Sequence, residues 1–465
     1  MTTVVVGSGM AATRLIEELV RRGHTGLAVL GDEPHPPYNR ILLSNVLEGT
    51  HRPESLTLRE PEWYADHGVA LHLGARVEGL DRVRREVILG DGRTQGYDRL
   101  VLATGSIPTL PPIRGLVRTD GSLHPIVHAF RSLDDCRRLV AALPNARTAV
   151  VVGGGLLGLQ VARALSVRGL DTEVVEGGEH LLRSQVGAPA GAVLKRGLEL
   201  LGTTVYTGAR AVRLTDAGLV LDNGYTLDTD LVVLTVGGRP ATTLARRAGL
   251  TVRRGVVVDD GLCSVDDEHV HAIGDCAEHA GRITGFVPPA WEQAQLVAAR
   301  LSGEQLSYEG SRSVARLRAT DLDVAVLGDP ERTQGQVVEM TNPVAGTHRK
   351  LVVRDGVILG ATLVGDLSRI GLLTQHYDRG TVLGPDEPGA LLLGDPPAQS
   401  AQLPDDAEIC ACAGVTAGRI RACGSLDQVT QSTRATTGCG GCAPVIRQLL
   451  AQRPSLASTL EGTHS

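Results

Sequence analysis

Short apolar runs that stop at a glycine turn, each followed by apolar positions at helical spacing, recur along this chain. Thr3-Val4-Val5-Val6 is such a run. Gly7-Ser8-Gly9-Met10-Ala11-Ala12 ends it, Leu15, Leu19 and Val20 mark one face of a helix, and Leu27-Ala28-Val29-Leu30 is a second run followed by the acids Asp32 and Glu33. Uninterrupted apolar strands belong to parallel sheets covered on both faces, so the pattern predicts a βαβ unit of an α/β protein. The same order returns at Ala149-Val150-Val151-Val152, Gly153-Gly154-Gly155-Leu156-Leu157-Gly158, a helix through Ala162 and Leu165, and Thr172-Glu173-Val174-Val175-Glu176. Later strands are expected at Val324–Leu327, at Lys350–Val353 and over residues 357–365, with a hairpin turn at Arg354-Asp355-Gly356. A proline-stiffened linker follows, running from Gly394 to Pro404.

The glycine turns carry chemistry. Gly7 permits a tight turn, Gly9 lets a pyrophosphate approach the backbone, and the helix N-terminus presents its positive end to phosphate. An acid about twenty residues on completes a dinucleotide fingerprint; without a ligand it is an ordinary turn of a doubly wound sheet. In the second copy Glu176 stands where a carboxylate accepts both ribose hydroxyls of an adenosine, which favours NADH over NADPH, although a solvated strand end would look the same. Two fingerprints in 465 residues imply two dinucleotides, a flavin and the nicotinamide that reduces it.

Near the C-terminus stand two cysteine pairs, Cys410-Ala411-Cys412 and Cys439-Gly440-Gly441-Cys442. Four thiolates from two tight loops suit an iron-sulfur cluster or zinc; a pair of disulfides shares the spacing. Gly438, Gly440 and Gly441 would let the backbone wrap closely around an inorganic core. The other cysteines, Cys136, Cys263, Cys276 and Cys423, are scattered, as expected in a reducing cytoplasm, and Cys423 reads as a small buried residue on a short helix over Arg419–Cys423. A net charge of −6 gives no electrostatic reason to expect nucleic acid. The first residues already form a strand, so no signal peptide is expected, and no apolar run approaches the ~20 residues of a membrane span.

Two further stretches give the pattern a family. Leu102-Ala103-Thr104-Gly105-Ser106-Ile107-Pro108 resembles the segment where the chain leaves an FAD domain, and Val270-His271-Ala272-Ile273-Gly274-Asp275-Cys276-Ala277 the segment that sets an aspartate on the ribityl chain. With the two fingerprints they make residues 1–310 similar to the two-dinucleotide flavoprotein disulfide reductases, an α/β fold in which an NADH domain interrupts the FAD domain. The resemblance implies an FAD domain at 1–110 and 240–310, an NADH domain at 111–239, an α/β interface domain at 311–392 that dimerises or packs on the flavin side, a linker at 393–404, a cluster domain at 405–455 and a tail at 456–465. The expected FAD contacts are Gly7, Ser8, Gly9, Met10, Ala11, Asp32, Glu33, Arg40, Val77, Ala103, Thr104, Gly105, Arg131, Gly274 and Asp275. Those for NADH are Gly153, Gly155, Leu156, Leu157, Gly158, Gln160, Glu176 and Gly238.

Between Leu30 and Asn45 there is no cysteine, so thiol chemistry at the flavin is not expected. The segment through Tyr38-Asn39-Arg40-Ile41-Leu42-Leu43-Ser44 is instead similar to the ferredoxin, rubredoxin and nitrite reductase branch, with Asn45 where a lysine often stands and Gln160 where a glutamate is common. Residues 409–416 and 433–444 resemble the bacterioferritin-associated ferredoxin-like [2Fe-2S] domain, which makes Cys410, Cys412, Cys439 and Cys442 the expected ligands. The resemblance implies a cytoplasmic oxidoreductase passing electrons from NADH to FAD to [2Fe-2S], with an assimilatory nitrate or nitrite reductase subunit as acceptor and a homodimer as a possible assembly. No residue is expected to act as a general acid or base. A helix beginning at Ala290 is expected to aim its N-terminus at the flavin, and Trp291 either covers a cofactor or fills the core. The rivals are a stand-alone ferredoxin or rubredoxin reductase and a non-catalytic NADH or iron sensor.

Overall fold

A computed structural model describes residues 1–393, 403–410, 413–438 and 441–451. The chain divides into two compact units, Met1–Leu393 and Gly394–Ser465.

In the first unit the apolar runs are central strands. Thr3–Val6 lies between Leu27–Leu30 and Arg99–Leu102, parallel to both, and Val69–His72 and Asp267–Ala272 extend the parallel set outward. Thr3–Val6 and Leu27–Leu30 are buried at every position, which is why they lack a polar alternation. A second sheet, ordered Thr204–Thr207, Asp171–Glu176, Thr148–Val152, Leu231–Leu234 and Val127–Ala129, is parallel throughout. The chain passes between the two sheets on an antiparallel pair, Ser106–Pro108 going out and Gly238–Pro240 returning.

A third sheet is antiparallel, ordered Val314–Ala319, Leu322–Gly328, Val357–Val364, Thr347–Arg354 and Gln336–Asn342. Its Asp355-Gly356 turn has φ of 51° and 76°, the doubly left-handed geometry that a two-residue hairpin needs. Leu322–Gly328 is buried on both faces. Leu322, Val324 and Val326 share a core with the helices Leu156–Val167 and Ala188–Leu200, whereas Ala325 and Leu327 pack with Leu373 and Tyr377 of the helix Ile370–Arg379. One face of this sheet therefore covers the helices of the second glycine-turn unit, and Arg163 fastens it there by donating to the carbonyls of Thr320 and Leu201 at 3.0 and 3.2 Å.

The second unit is small. Its core joins Ala407, Cys410, Val415, Ile420, Cys423, Val429, Ala435, Cys442, Ile446 and Leu449. The helix before Cys423 spans Ala417–Arg421, and the thiol just beyond it is buried against Ser432 and the carbonyl of Arg419. The linker from Gly394 and the tail at 456–465 fall outside the described residues, apart from Leu403 and Pro404.

Candidate dinucleotide and cysteine sites

The first glycine turn sits at the C-terminal end of its strand, where ligands bind in parallel sheets. Gly7 has φ +110°, and a Cβ there would lie 2.3 Å from the carbonyl oxygen of Ala103. Gly9 faces open space instead, with nothing within 4 Å of a built Cβ, and the helix Met10–Arg21 that it starts has no side-chain cap. Uncapped N–H groups beside an open glycine fit a pyrophosphate.

Gly274, at φ +71°, comes close to Ala11 and donates its N–H to Gln293 Oε1 at 2.7 Å. Asp275 is held from two sides, by Arg131 Nη2 at 2.7 Å and Ser106 Oγ at 2.8 Å. Arg131 comes from the residue before a capping box, in which Ser132 and Asp135 close the start of the helix Leu133–Ala142. Thr104 Oγ1 donates to the Ala241 carbonyl at 2.7 Å, and the Ala241 N–H to Gly105. Gly7 to Ala11, Ala103 to Gly105, Arg131, Gly274 and Asp275 are thus brought together.

The two acids after Leu30 part company. Asp32 is exposed, whereas Glu33 is half-buried, ion-paired to Arg40, and accepts the Tyr38 hydroxyl at 2.7 Å. Tyr38 in turn accepts the Leu133 N–H at 2.9 Å, and its ring lies 5.0 Å from the Arg40 guanidinium. Burial holds the phenol well above its ordinary pKa. Val77 is half-buried at the start of its own strand, two residues beyond Ala75, which bonds to Gly31.

The second turn repeats this logic more tightly. Gly153 has φ +117° and faces Thr235, Gly155 is open and starts an uncapped helix, and a Cβ on Gly158 would lie 1.9 Å from the Gly153 carbonyl oxygen. Only glycine fits there. Glu176 Oε2 accepts the Gly154 N–H at 2.7 Å and Oε1 the Gly178 N–H at 2.6 Å, with Arg183 Nε 3.6 Å away. It is a fixed carboxylate at the edge of the glycine loop, not a solvated strand end. Leu156, Leu157 and Gln160 line the first turns of the helix, each half-buried, and Gly238 lies on the crossing strand, its built Cβ 3.2 Å from Ser106 Oγ.

One expectation needs correction, and of the two alternatives for Trp291 the structure favours one. The helix expected at Ala290 begins at Val287, with both prolines inside its first turn, where their missing N–H groups cost nothing. Trp291 is core: it is 3% exposed and its Nε1 donates to the Met10 carbonyl at 3.2 Å. The residues that sequence reasoning left without a role are Tyr38, Ser106 and Gln293, each a partner of an expected contact.

The cysteines of the first unit are chemically quiet. Cys136 reaches the Leu43 carbonyl, but it is fully buried and desolvation pushes its thiol up to about 11. Cys276 is buried too and raised for the same reason. In the second unit Cys410 and Cys442, 4% and 5% exposed, bring their sulfurs into hydrogen-bond contact, which together with burial raises the Cys410 thiol strongly. The N–H groups of Ala413 and Thr436 point at the Cys410 sulfur. Two buried sulfurs in contact, met by backbone donors, fit a thiolate-bound metal centre, whose positive charge would offset the ionisation that burial opposes. Cys412 and Cys439 lie outside the described residues.

Comparison with known proteins bears on both sites. Residues 1–296 match the model of the pyridine nucleotide-disulphide oxidoreductases. The chain belongs to this family. Residues 408–452 match the BFD-like [2Fe-2S] binding domain. A nitrite reductase of Bacillus subtilis named for NAD(P)H is 35% identical over 96% of this chain and 57% of its own length. The assimilatory nitrate reductase electron transfer subunit of the same organism is 32% identical over 96% of this chain and 59% of its own. The chain thus spans less than two thirds of these relatives. A solved ferredoxin reductase from Rhodopseudomonas palustris superposes with a TM-score of 0.75 at 28% identity, over 82% of this chain and 96% of that one. The family membership makes the chain an oxidoreductase with the two-dinucleotide flavoprotein fold, carrying a BFD-like C-terminal domain. Among the described residues no helix is long and apolar enough to cross a membrane.

Proposed function

We propose that this chain is a cytoplasmic electron-transfer flavoprotein that takes electrons from NADH and delivers them through FAD and a [2Fe-2S] centre to an assimilatory nitrate or nitrite reductase. The observation that carries the reading is where two sulfurs come together. Cys136 and Cys276 in the first unit are single and buried, whereas Cys410 and Cys442 pair in the second.

When bound, FAD supplies the exchange between a two-electron hydride donor and a one-electron carrier, and the [2Fe-2S] group carries single electrons outward. The residues of the chain bind and orient. The first glycine turn and the helix at Met10 receive the FAD pyrophosphate, Glu33 its adenosine ribose, and Asp275, braced by Arg131 and Ser106, its ribityl chain. The turn from Gly153 to Gly158 receives NADH with Glu176 on the ribose. Hydride transfer asks for two aligned rings rather than a proton relay, so no side chain is assigned as acid or base. Cys410, Cys412, Cys439 and Cys442 hold the cluster. Names of relatives that match nearly the whole of this chain supply the acceptor class.

The test separates the two ends of the path. In Cys442→Ser, NADH should still bleach the flavin rapidly and ferricyanide should still turn over, while cluster absorbance and reduction of the nitrate or nitrite reductase partner are lost. Partner turnover that survives without the cluster would make the flavin the exit. The likeness to a ferredoxin reductase favours that second reading, in which a separate small iron-sulfur protein is reduced at the flavin.

A further inference from the structure

The helix Val287–Leu301 buries a face of small apolar residues, Ala290, Ala294, Val297 and Ala298, and among them stands Gln293, 2% exposed. An amide so placed costs stability unless each of its polar ends is paired, and leucine would fill the space without that demand. Both ends are paired. The Gly274 N–H donates to Gln293 Oε1 at 2.7 Å, and Gln293 Nε2 donates to the Tyr308 hydroxyl at 3.3 Å. A backbone N–H can only donate, so the amide is oriented with its oxygen toward Gly274 and its nitrogen toward Tyr308. The phenol oxygen accepts there, its own O–H points to Ser311 Oγ 2.6 Å away, and Ser311 in turn donates to the Glu292 carboxylate. The donors thus run one way, from the buried Gly274 turn out to an exposed carboxylate.

Gly274 sets the direction of Asp275. It lies at φ +71° between two helices, its built Cβ 3.3 Å from Ala11 and 3.7 Å from Ala290, and it opens the short turn Gly274–Cys276 in which Asp275 is the middle residue. Arg131 and Ser106 hold the Asp275 carboxylate, but neither holds the backbone that carries it. Gln293 does. Its own support comes from outside the nucleotide site, because Tyr308 and Ser311 stand on the connector between this helix and the strand Val314–Ala319. Tyr308 is fastened to that connector's surroundings through its N–H, which donates to the Asp260 carbonyl at 2.7 Å, and through its ring, 5.0 Å from that of His279.

We propose that Gln293 and Tyr308 are positioning residues for FAD: they hold the Gly274 N–H inward and so present Asp275 to the ribityl chain. This rests on the reading of Asp275 as the ribityl contact. Both act through the turn rather than by contact with the flavin. Without Gln293 the Gly274 N–H turns outward to water, and FAD then binds only by restoring the turn with that N–H left unpaired.

Apoprotein of the full-length chain, titrated with FAD and followed by quenching of flavin fluorescence, reads the effect. Gln293→Leu should bind FAD about tenfold more weakly, and Tyr308→Phe, which keeps the ring but leaves the Gln293 amide nitrogen without an acceptor, about threefold. A double-mutant cycle shows whether the glutamine acts through the aspartate. In an Asp275→Ala background the further change Gln293→Leu should weaken FAD by less than about twofold. The same loss in both backgrounds would overturn the proposal. So would wild-type FAD affinity in Gln293→Leu beside a less stable apoprotein, which would make the glutamine a core residue only. If Gln293→Leu fails to fold, Tyr308→Phe decides, and an unchanged FAD affinity there overturns the proposal. Those outcomes leave the ribityl reading standing. Asp275→Ala with undiminished FAD affinity, or wild-type protein that binds no FAD, would remove that reading and the proposal with it.

Discussion

The chain builds the same turn twice and secures its acid in two different ways. At the first turn Glu33 is held by side chains of the following loop, Arg40 and Tyr38, and Tyr38 carries the connection to the start of the helix Leu133–Ala142. At the second, Glu176 is held by main-chain N–H groups, one from the glycine loop and one two residues on. The first acid is thus braced across nearly a hundred residues of sequence. The second is self-contained within its own βαβ unit. A carboxylate has about four acceptor sites, so Glu176 can keep both N–H bonds and still accept two ribose hydroxyls. It would not accommodate a second anion as easily, and on this ground we expect NADH to be preferred over NADPH.

The tightness of the second turn offers the largest effect. Gly158→Ala puts a Cβ 1.9 Å from the Gly153 carbonyl oxygen and 2.8 Å from Thr235 Oγ1, a clash with backbone that no rotamer relieves. We expect a loss of ~3 kcal/mol in denaturant unfolding and loss of NADH binding by titration, with FAD retained. The corresponding position of the first turn is already Ala12, buried at 1% exposure, so Ala12→Gly should leave nucleotide binding nearly unchanged. Normal NADH affinity in Gly158→Ala would show that the second turn is looser than its geometry says.

A smaller effect tests the acid itself. Glu176→Arg exchanges a fixed negative charge for a positive one at the proposed ribose site, and a single hydrogen bond to a charged group is worth ~1.5–3 kcal/mol. The ratio of kcat/KM for NADH over NADPH in flavin reduction should fall by one to two orders of magnitude on the same basis. A wild-type enzyme that uses the two coenzymes equally would remove Glu176 from the ribose.

Local signals are legible in the sequence and distant partnerships are not. The buried strands, both glycine turns and the Asp355-Gly356 hairpin follow from rules that act within a few residues. Gln336–Asn342 is hard to see at that level because it is an edge strand with no fully buried position, and only Val338 and Met340, both half-buried, mark its inner face. Pro288 and Pro289 look like a boundary before a helix, yet they sit inside its first turn. That the third sheet would cover the helices of the second turn depends on which face of Leu322–Gly328 meets which neighbour, and its double-sided burial hides any such preference. Asp275 and Glu176 have partners that no spacing rule supplies, and for Asp275 these are Arg131 and Ser106, reaching it from more than a hundred residues away.

Tyr38 gives the subtlest test of cross-bracing against self-containment. Its hydroxyl donates to Glu33 Oε2 at 2.7 Å and accepts the buried Leu133 N–H at 2.9 Å, so Tyr38→Phe deletes one oxygen and breaks both links. The ring and its contact with Arg40 remain, which confines the change to hydrogen bonding. Leaving a buried N–H unsatisfied costs ~1–3 kcal/mol, partly relieved where a water can enter, so a loss near ~1 kcal/mol is expected in unfolding. Glu33 keeps its pairing to Arg40 but loses the contact that fixes its second oxygen, so FAD should bind several-fold more weakly to the apoprotein while NADH affinity stays constant. Equal weakening of both nucleotides would mean that the phenol supports the fold as a whole. An unchanged FAD affinity beside a lowered stability would confine Tyr38 to the helix start, and Glu33 would then be held by Arg40 alone.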